Sequence, residues 1–496
     1  MRLEVTTTSG TVRGRPSGPV AAFLGIPYAA PPFGDLRFAA PAPPEPWTGV
    51  RDATSFGPTA VKGVYPPPLD RLLPEPVVAG EQVLNLNVWT PDPDASGLPV
   101  LVWIHGGAFV LGSGAVPVYD GTAFARDGVV TVTINYRLGA DGFLLFGDGG
   151  PENRGLLDQV AALEWVRDNI AAFGGDPDQV TIAGESAGAM SAACLMTVDG
   201  ARGLFRRAVL QSGAGDFALR PETAGTVARH LAERLQVPLT REGLAAVPLD
   251  ALVEAQGALT REVRATPDPT RWGELVLHSM PFEPVVDGAV LPALPRDAVA
   301  AGAGADVDVL VGSNRDEHRL FLVPSGLVDH VTEDLLRIVL AGYRLPAERT
   351  LAAYRAPAPD ASPGELLADI ATDWFYRVPA VRLAEARAAG PGRTYVYEFA
   401  WPSPQFDGRL GSCHALEIAF VFDLLAAPEN QPLAGDASPQ RLADEMHRAW
   451  VSFVRTGDPG WAPYDPASRP VQVFDEPSAL VADPRPEQLA VWAGVR

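Results

Sequence analysis

Val180-Thr181-Ile182-Ala183-Gly184-Glu185-Ser186-Ala187-Gly188 is the stretch whose reading decides the fold. Residues 180–183 form a short β-prone run, and a helix-compatible run extends from Ala189 to Met196. Between them stands a serine with a glycine two residues to either side, the G-x-S-x-G pattern of a nucleophile elbow. A serine on a sharp strand-to-helix turn is held in a strained backbone with its hydroxyl exposed. The glycines let neighbouring backbone pack closely enough to make the turn. The positive end of the helix behind it favours negative charge developing at the reaction centre. The pattern alone is a weak signal in a chain with 49 glycines, and the flanking strand and helix give it meaning. Ser186 is the candidate nucleophile. Glu185 adjoins it and is expected to be a structural, hydrogen-bonded carboxylate beneath the turn.

Working backward, Leu156, Val160, Leu163 and Ile170 recur at helical spacing, with Leu157, Val166 and Phe173 widening the apolar stripe. Asp158, Glu164, Arg167 and Asp168 are read as lying mostly off that stripe, and Gly174-Gly175 as ending the helix. Residues 100–104 are a short continuous apolar run, the mark of a strand buried on both faces, 129–134 reads as a strand of similar type, and 84–89 alternates with period two. The first ~60 residues are rich in Pro and Gly and read as short strands and turns. Working forward, strands are expected at 208–210, 307–311 and 395–399, and a helix at 443–455. Strand, helix, strand in this order implies right-handed crossovers in a mostly parallel sheet flanked by helices. No repeat and no linker divides the chain, so the expectation is one α/β domain over 1–496.

His105-Gly106-Gly107-Ala108-Phe109 follows the strand at 100–104. A tetrahedral intermediate carries a full negative charge on oxygen, and backbone N–H groups aimed at it stabilise that charge. Small residues let the backbone itself approach the substrate. Gly107, Ala108 and Ala187 are the expected donors, with Gly106 in the same loop. The order expected of such a site is serine, then acid, then histidine. Of seven histidines, His105 lies in the donor loop, and His330 and His447 lie in helical segments. His414, in a loop after the strand at 395–399, is the expected base. The acid should follow the strand at 307–311, in Gly312-Ser313-Asn314-Arg315-Asp316-Glu317. Spacing does not choose between Asp316 and Glu317.

A formal net charge of −21, with Lys62 the only lysine, disfavours nucleic acid and anionic membrane surfaces as partners. Two cysteines, Cys194 and Cys413, exclude a disulfide scaffold and a cysteine-built zinc site. Both are read as buried, inert thiols. No apolar run reaches the ~18 residues of a spanning helix, and Met1-Arg2-Leu3-Glu4-Val5 lacks the apolar core of a signal peptide. The expectation is a cytoplasmic protein that needs no cofactor or metal. No pattern in the chain specifies an oligomeric state.

Taken together, these motifs resemble the type-B carboxylesterase/lipase family of cholinesterase-like α/β-hydrolases, in particular its bacterial para-nitrobenzyl-esterase-like branch. The likeness runs from Phe23-Leu24-Gly25-Ile26-Pro27-Tyr28 and Arg37-Phe38 through Asn135-Tyr136-Arg137 and Gly155-Leu156-Leu157-Asp158-Gln159. It continues through Phe173-Gly174-Gly175-Asp176-Pro177, the elbow and Gln211-Ser212-Gly213, to His414-Ala415-Leu416-Glu417-Ile418 and Thr456-Gly457-Asp458-Pro459. The resemblance implies an α/β-hydrolase fold and a serine carboxylesterase acting on small-molecule esters. It places the triad acid at Glu317, the base at His414 and a supporting serine at Ser212. It also implies that a Gly-Gly-Ala donor loop accepts bulky alcohol groups.

Three departures stand out. His318 occupies the place of the glycine that normally follows the acid. Val83 replaces the cysteine of an early disulfide loop. Residues 57–80 are short and Pro-rich and hold no tryptophan for a quaternary ammonium, which argues against choline esters. A lipase, or a carbamate or amide hydrolase, keeps the same chemistry. A non-catalytic cholinesterase-like binding domain would be expected to lack the serine. Trp401, Phe406 and Phe420 are read as core rather than pocket lining.

Overall fold

The apolar run at 100–104 is the inner part of a strand, Leu98–Ile104, whose last five residues are all buried. That burial follows from its neighbours. It pairs in parallel with Val130–Ile134 on one side and with Gly175–Glu185 on the other. The register sets Ile104 opposite both Ile134 and Gly184. Strands that end level deliver their loops to the same edge of the sheet, so the segments starting at His105 and at Glu185 emerge side by side. Beyond Val130–Ile134 the order continues through Asn85–Thr90, Val20–Pro27 and Arg15–Ser17, each pairing antiparallel. The helix Ala187–Leu195 packs on Gly175–Glu185 and Leu98–Ile104.

The computed structural model describes residues 2–495. They fall into two compact units, neither of them a continuous stretch of chain. One takes in the residues up to Val64 with Glu75–Val209 and Gly215–Val307; the other comprises Tyr65–Pro74, Leu210–Ala214 and the residues from Asp308 onward. In the second unit Asp308–Asn314, Thr394–Phe399 and Pro470–Phe474 are parallel, and Ala479–Ala482 closes their edge antiparallel. The helix Val378–Arg387 lies against the first two of these strands. No described helix is long and apolar enough to cross a membrane.

The expected helix before the elbow is Arg154–Asn169, continued by a 3-10 turn, Ile170–Phe173, and stopped by Gly174 at φ 88°. Leu156, Val160, Leu163 and Val166 are buried, and Glu164, Arg167 and Asp168 are exposed. Asp158 departs from the expectation, being fully buried. The reason is Arg137, which lies 21 residues earlier and is also buried. Its Nε and Nη2 donate to the two carboxylate oxygens at 2.8 and 2.7 Å, and its backbone N–H adds a bond of 3.0 Å. The remaining guanidinium nitrogen, Nη1, donates to the Ala39 carbonyl at 2.6 Å. Burial works against the Arg137 cation, and the Asp158 carboxylate overcomes it and raises the group above its usual value. A buried pair held on all sides is broken at high cost, because the survivor is left charged in an apolar interior. Asp158→Ala is expected to lower unfolding stability by about 3–5 kcal/mol. Urea denaturation followed by tryptophan fluorescence measures this, and a loss below about 1 kcal/mol would contradict the assignment.

Candidate active site

Ser186 sits between the strand Gly175–Glu185 and the helix Ala187–Leu195 at φ 56°, ψ −123°. Serine rarely adopts this conformation, and the surroundings impose it. A Cβ on Gly184 would lie 2.5 Å from the Gly188 carbonyl carbon, and one on Gly188 would lie 2.0 Å from the Ile104 oxygen. The backbone on either side of the serine therefore touches itself and the neighbouring strand. From Val180 to Val198 every residue is buried except Ser186, which is partly open. Glu185 is 3% exposed, and its Oε2 lies close behind Gly106.

The loop expected to carry the donors leaves Leu98–Ile104 at His105. The position a Cβ of Gly106 would take is 2.7 Å from the Glu185 carbonyl oxygen and 3.2 Å from Ser186 Cβ. Glycine here lets the loop lie directly on the elbow. Gly107, Ala108 and Phe109 follow at φ 111°, 51° and 62°. The N–H groups of Val110 and Leu111 return to the Gly107 oxygen at 3.0 and 2.9 Å. Gly107 and Ala108 are half-buried, whereas Phe109 anchors the turn edge-on to Phe143. His105 stacks on Tyr136 at 4.4 Å, and its Nδ1 lies 2.8 Å from the Gly106 oxygen. Burial pulls its pKa down to about 3, so this imidazole stays neutral and acts as a fixed wedge.

The second unit carries the other candidates. Glu317 Oε2 lies 2.6 Å from His414 Nδ1, and the Asn314 N–H donates to Glu317 Oε1 at 2.7 Å. Glu317 is fully buried and His414 is 6% exposed. Asp316, the alternative that spacing left open, is engaged elsewhere. It accepts from the Ser412 N–H at 2.9 Å, pairs with Arg319 at 3.0 Å and fills the space beside Gly411. It thereby staples the loop that carries His414, while Glu317 faces the imidazole. The Asn314 side chain donates to the Cys413 carbonyl at 2.8 Å and to Glu417 at 2.6 Å. Gln211 also donates to Glu417, at 3.0 Å, and accepts from Trp450 Nε1 at 2.8 Å. Burial, reinforced by the Glu317 charge, pushes Glu417 up to about 7. Ser212 is buried at φ 52°; its N–H donates to the Gly312 oxygen, and its hydroxyl has no hydrogen-bond partner among the described residues.

His318 causes no distortion. Its backbone is right-handed, φ −74° and ψ −9°, so the position does not require glycine. Its half-buried ring stacks on Phe375 at 5.2 Å. Phe375 and Tyr376 lie in a π-helical turn, Asp373–Arg377, and Tyr376 packs on His414 at 4.9 Å. Trp401 and Phe420 are core, as expected, but Phe406 is 39% exposed at φ 55° and is not part of the core. Cys194 and Cys413 are buried free thiols whose pKa values burial raises. Among the described residues no group of three His, Cys, Asp or Glu side chains could hold a metal ion. The roles of Asn314, Gln211 and Glu417 escaped the sequence reading, although Gln211 and Glu417 stand in stretches that carried the family resemblance.

The carboxylesterase family profile matches residues 2–492. The chain is 38% identical to a para-nitrobenzyl esterase of Bacillus subtilis (strain 168), over 98% of this chain and 97% of that one. It is 37% identical to a phenmedipham hydrolase of Pseudarthrobacter oxydans, over 96% and 94%. Among solved structures, a carboxylesterase of Geobacillus stearothermophilus superposes with a TM-score of 0.86 at 38% identity, covering 99% of this chain and 100% of that one. The chain thus belongs to the carboxylesterase family, as a carboxylic ester hydrolase of the α/β-hydrolase fold.

Proposed function

We propose that Ser186, His414 and Glu317 form the triad of a serine carboxylesterase acting on small-molecule esters. The observation that carries the reading is the 2.6 Å contact between Glu317 and Nδ1 of His414. A carboxylate on Nδ1 fixes the proton there and leaves Nε2 as the basic nitrogen. In the mechanism, Nε2 takes the proton of the Ser186 hydroxyl as its oxygen attacks the ester carbonyl. The carbonyl electron pair moves onto oxygen, where the N–H groups of Gly107, Ala108 and Ala187 receive it. Collapse expels the alcohol, which leaves with the proton from His414. Water then repeats the sequence on the acyl-enzyme and releases the acid. Glu317 remains an anion throughout and stabilises the imidazolium.

The substrate range is read from chemistry and from the named relatives. A donor loop of small residues suits esters with bulky alcohols, and para-nitrobenzyl esters are the first class to try. A carbamate or amide hydrolase is the second reading, and phenmedipham belongs in the panel because one relative is named for hydrolysing it. A lipase would show a rise in rate at an emulsion interface. A cytoplasmic location is favoured by the two buried thiols. A purely binding role is disfavoured by the strained, partly open Ser186.

Ser186→Ala is expected to lower the turnover of a p-nitrophenyl acylate by at least ~10³-fold, and an undiminished rate would reject the triad. The pH profile supplies a separate check. Burial and the neighbouring His414 lower His318 to about 3, so it is uncharged throughout the range from pH 5 to 8. A group that does not titrate there contributes no step to the profile. His318→Gln should move the acid limb of kcat/KM by less than roughly 0.3 pH unit. Loss of a titration step in that variant would show that His318, not His414, governs the limb.

A further inference from the structure

Lys62 is the only lysine of the chain, and its side chain is 1% exposed. The reaction has no use for it. Two arms of chain bring it inward. The Thr59 N–H donates to the Val78 oxygen at 2.9 Å, and the Val78 N–H donates to Thr59 Oγ1 at 3.2 Å. Three residues further along each arm stand Lys62 and Glu75, whose charged groups form a buried ion pair. The pair closes on a single residue. Lys62 Nζ donates to the Gly112 carbonyl at 2.8 Å, and the Gly112 N–H donates to Glu75 Oε2 at 2.9 Å.

Gly112 ends the loop that begins at His105. It stands at φ 90°, and a Cβ there would lie 2.2 Å from the Gly106 oxygen and 2.4 Å from His105 Nδ1. The neighbouring Leu111 oxygen lies 2.3 Å from where a Cβ of Gly107 would be. The far end of the loop therefore rests on the residues that carry the donors. We propose that Lys62 and Glu75 are positioning residues for the oxyanion hole, clamping both backbone groups of Gly112 so that Gly107 and Ala108 keep their N–H groups aimed. This rests on reading 106–108 as the oxyanion loop.

The physical case is one of strain. Gly107, Ala108 and Phe109 are three left-handed residues in succession, a run that relaxes unless both ends are fixed. Bonds to charged partners are about twice as strong as neutral ones, and here one such bond holds each side of Gly112. A buried ion pair adds little net stability over apolar side chains of like volume, so the value of this one lies in orientation. Burial draws the Lys62 ammonium below its usual value, and Glu75 works to keep it charged.

Lys62→Met and Glu75→Gln, each assayed on p-nitrophenyl butyrate, test the proposal. Expected is a kcat loss of ~10–100-fold with KM within about threefold of the parent. Inhibition by a trifluoromethyl ketone, which needs the same donors, should weaken by the factor lost in kcat/KM. If Lys62→Met does not fold, acetylation of the native enzyme decides, since Lys62 offers its only ε-amine. Lys62 should react far more slowly than N-acetyl-lysine amide, and activity should fall in step with its modification. Folded variants with kcat within about twofold of the parent, a change in KM alone, or fast acetylation without loss of activity would each overturn the clamp. Ser186→Ala separates the two levels: an inactive alanine variant beside fully active Lys62 and Glu75 variants removes the clamp alone, whereas an active one removes the underlying reading.

Discussion

Holding a serine at φ 56°, ψ −123° costs of order 1–3 kcal/mol, and the conformation persists only where its neighbours leave no alternative. Around Ser186 those neighbours are backbone rather than side chain. Gly184 lies on Gly188, Gly188 on Ile104, and Gly106 on the carbonyl of Glu185. Each contact is closer than any Cβ would permit, so the strand, the helix and the donor loop are joined through three positions without side chains. The parallel register makes this possible, because Ile104 and Gly184 end their strands at the same level. Without that alignment the donors and the hydroxyl would leave the sheet at different heights.

Electrostatics sets His414 apart from two other imidazoles. His105 and His318 are both held neutral by burial, each with its pKa drawn down to about 3. His414 differs in having a fully buried carboxylate on its ring nitrogen. A cation forming on His414 would meet an anion already in place, whereas burial opposes one on His105 or His318. Glu317 is itself oriented by the Asn314 N–H. Nearby, Glu417 is held by two amide donors that favour its charged form against burial and the Glu317 charge. Asn314 thus holds Glu317 through its backbone and the loop of His414 through its side chain.

What the sequence disclosed and what it hid divide along physical lines. The strand at 180–183 and the strand-to-helix turn at Ser186 were legible because their signals are local: a short β-prone run, a pair of glycines, a helix start. The helix 154–169 was legible by periodicity, except at Asp158, whose burial depends on an arginine that no window of helical length contains. The choice of Glu317 over Asp316 came from family resemblance. The structural difference between them is which of two adjacent carboxylates faces the ring and which takes the Ser412 N–H, a matter of three-dimensional direction. His318 looked like a threat to the loop because glycine is usual there. A right-handed φ of −74° removes that concern, since any residue adopts it.

The two units hold their candidate residues rigid by different means, and the difference predicts how each responds to change. The Ser186 side relies on steric exclusion: its contacts are short backbone contacts that tolerate no added atom, so substitution there fails by collision. The Glu317 and His414 side relies on hydrogen bonds among buried polar groups. Removing one partner there leaves another donor or acceptor unsatisfied, at about 1–3 kcal/mol each, while adding volume at the half-buried His318 is accommodated by stacking. The contrast fits the chemistry proposed for each side. A nucleophile and its N–H donors must hold their positions as charge appears on the substrate, and steric exclusion serves that need. A base must gain and lose a proton, and only a network that redistributes charge can stabilise both of its states.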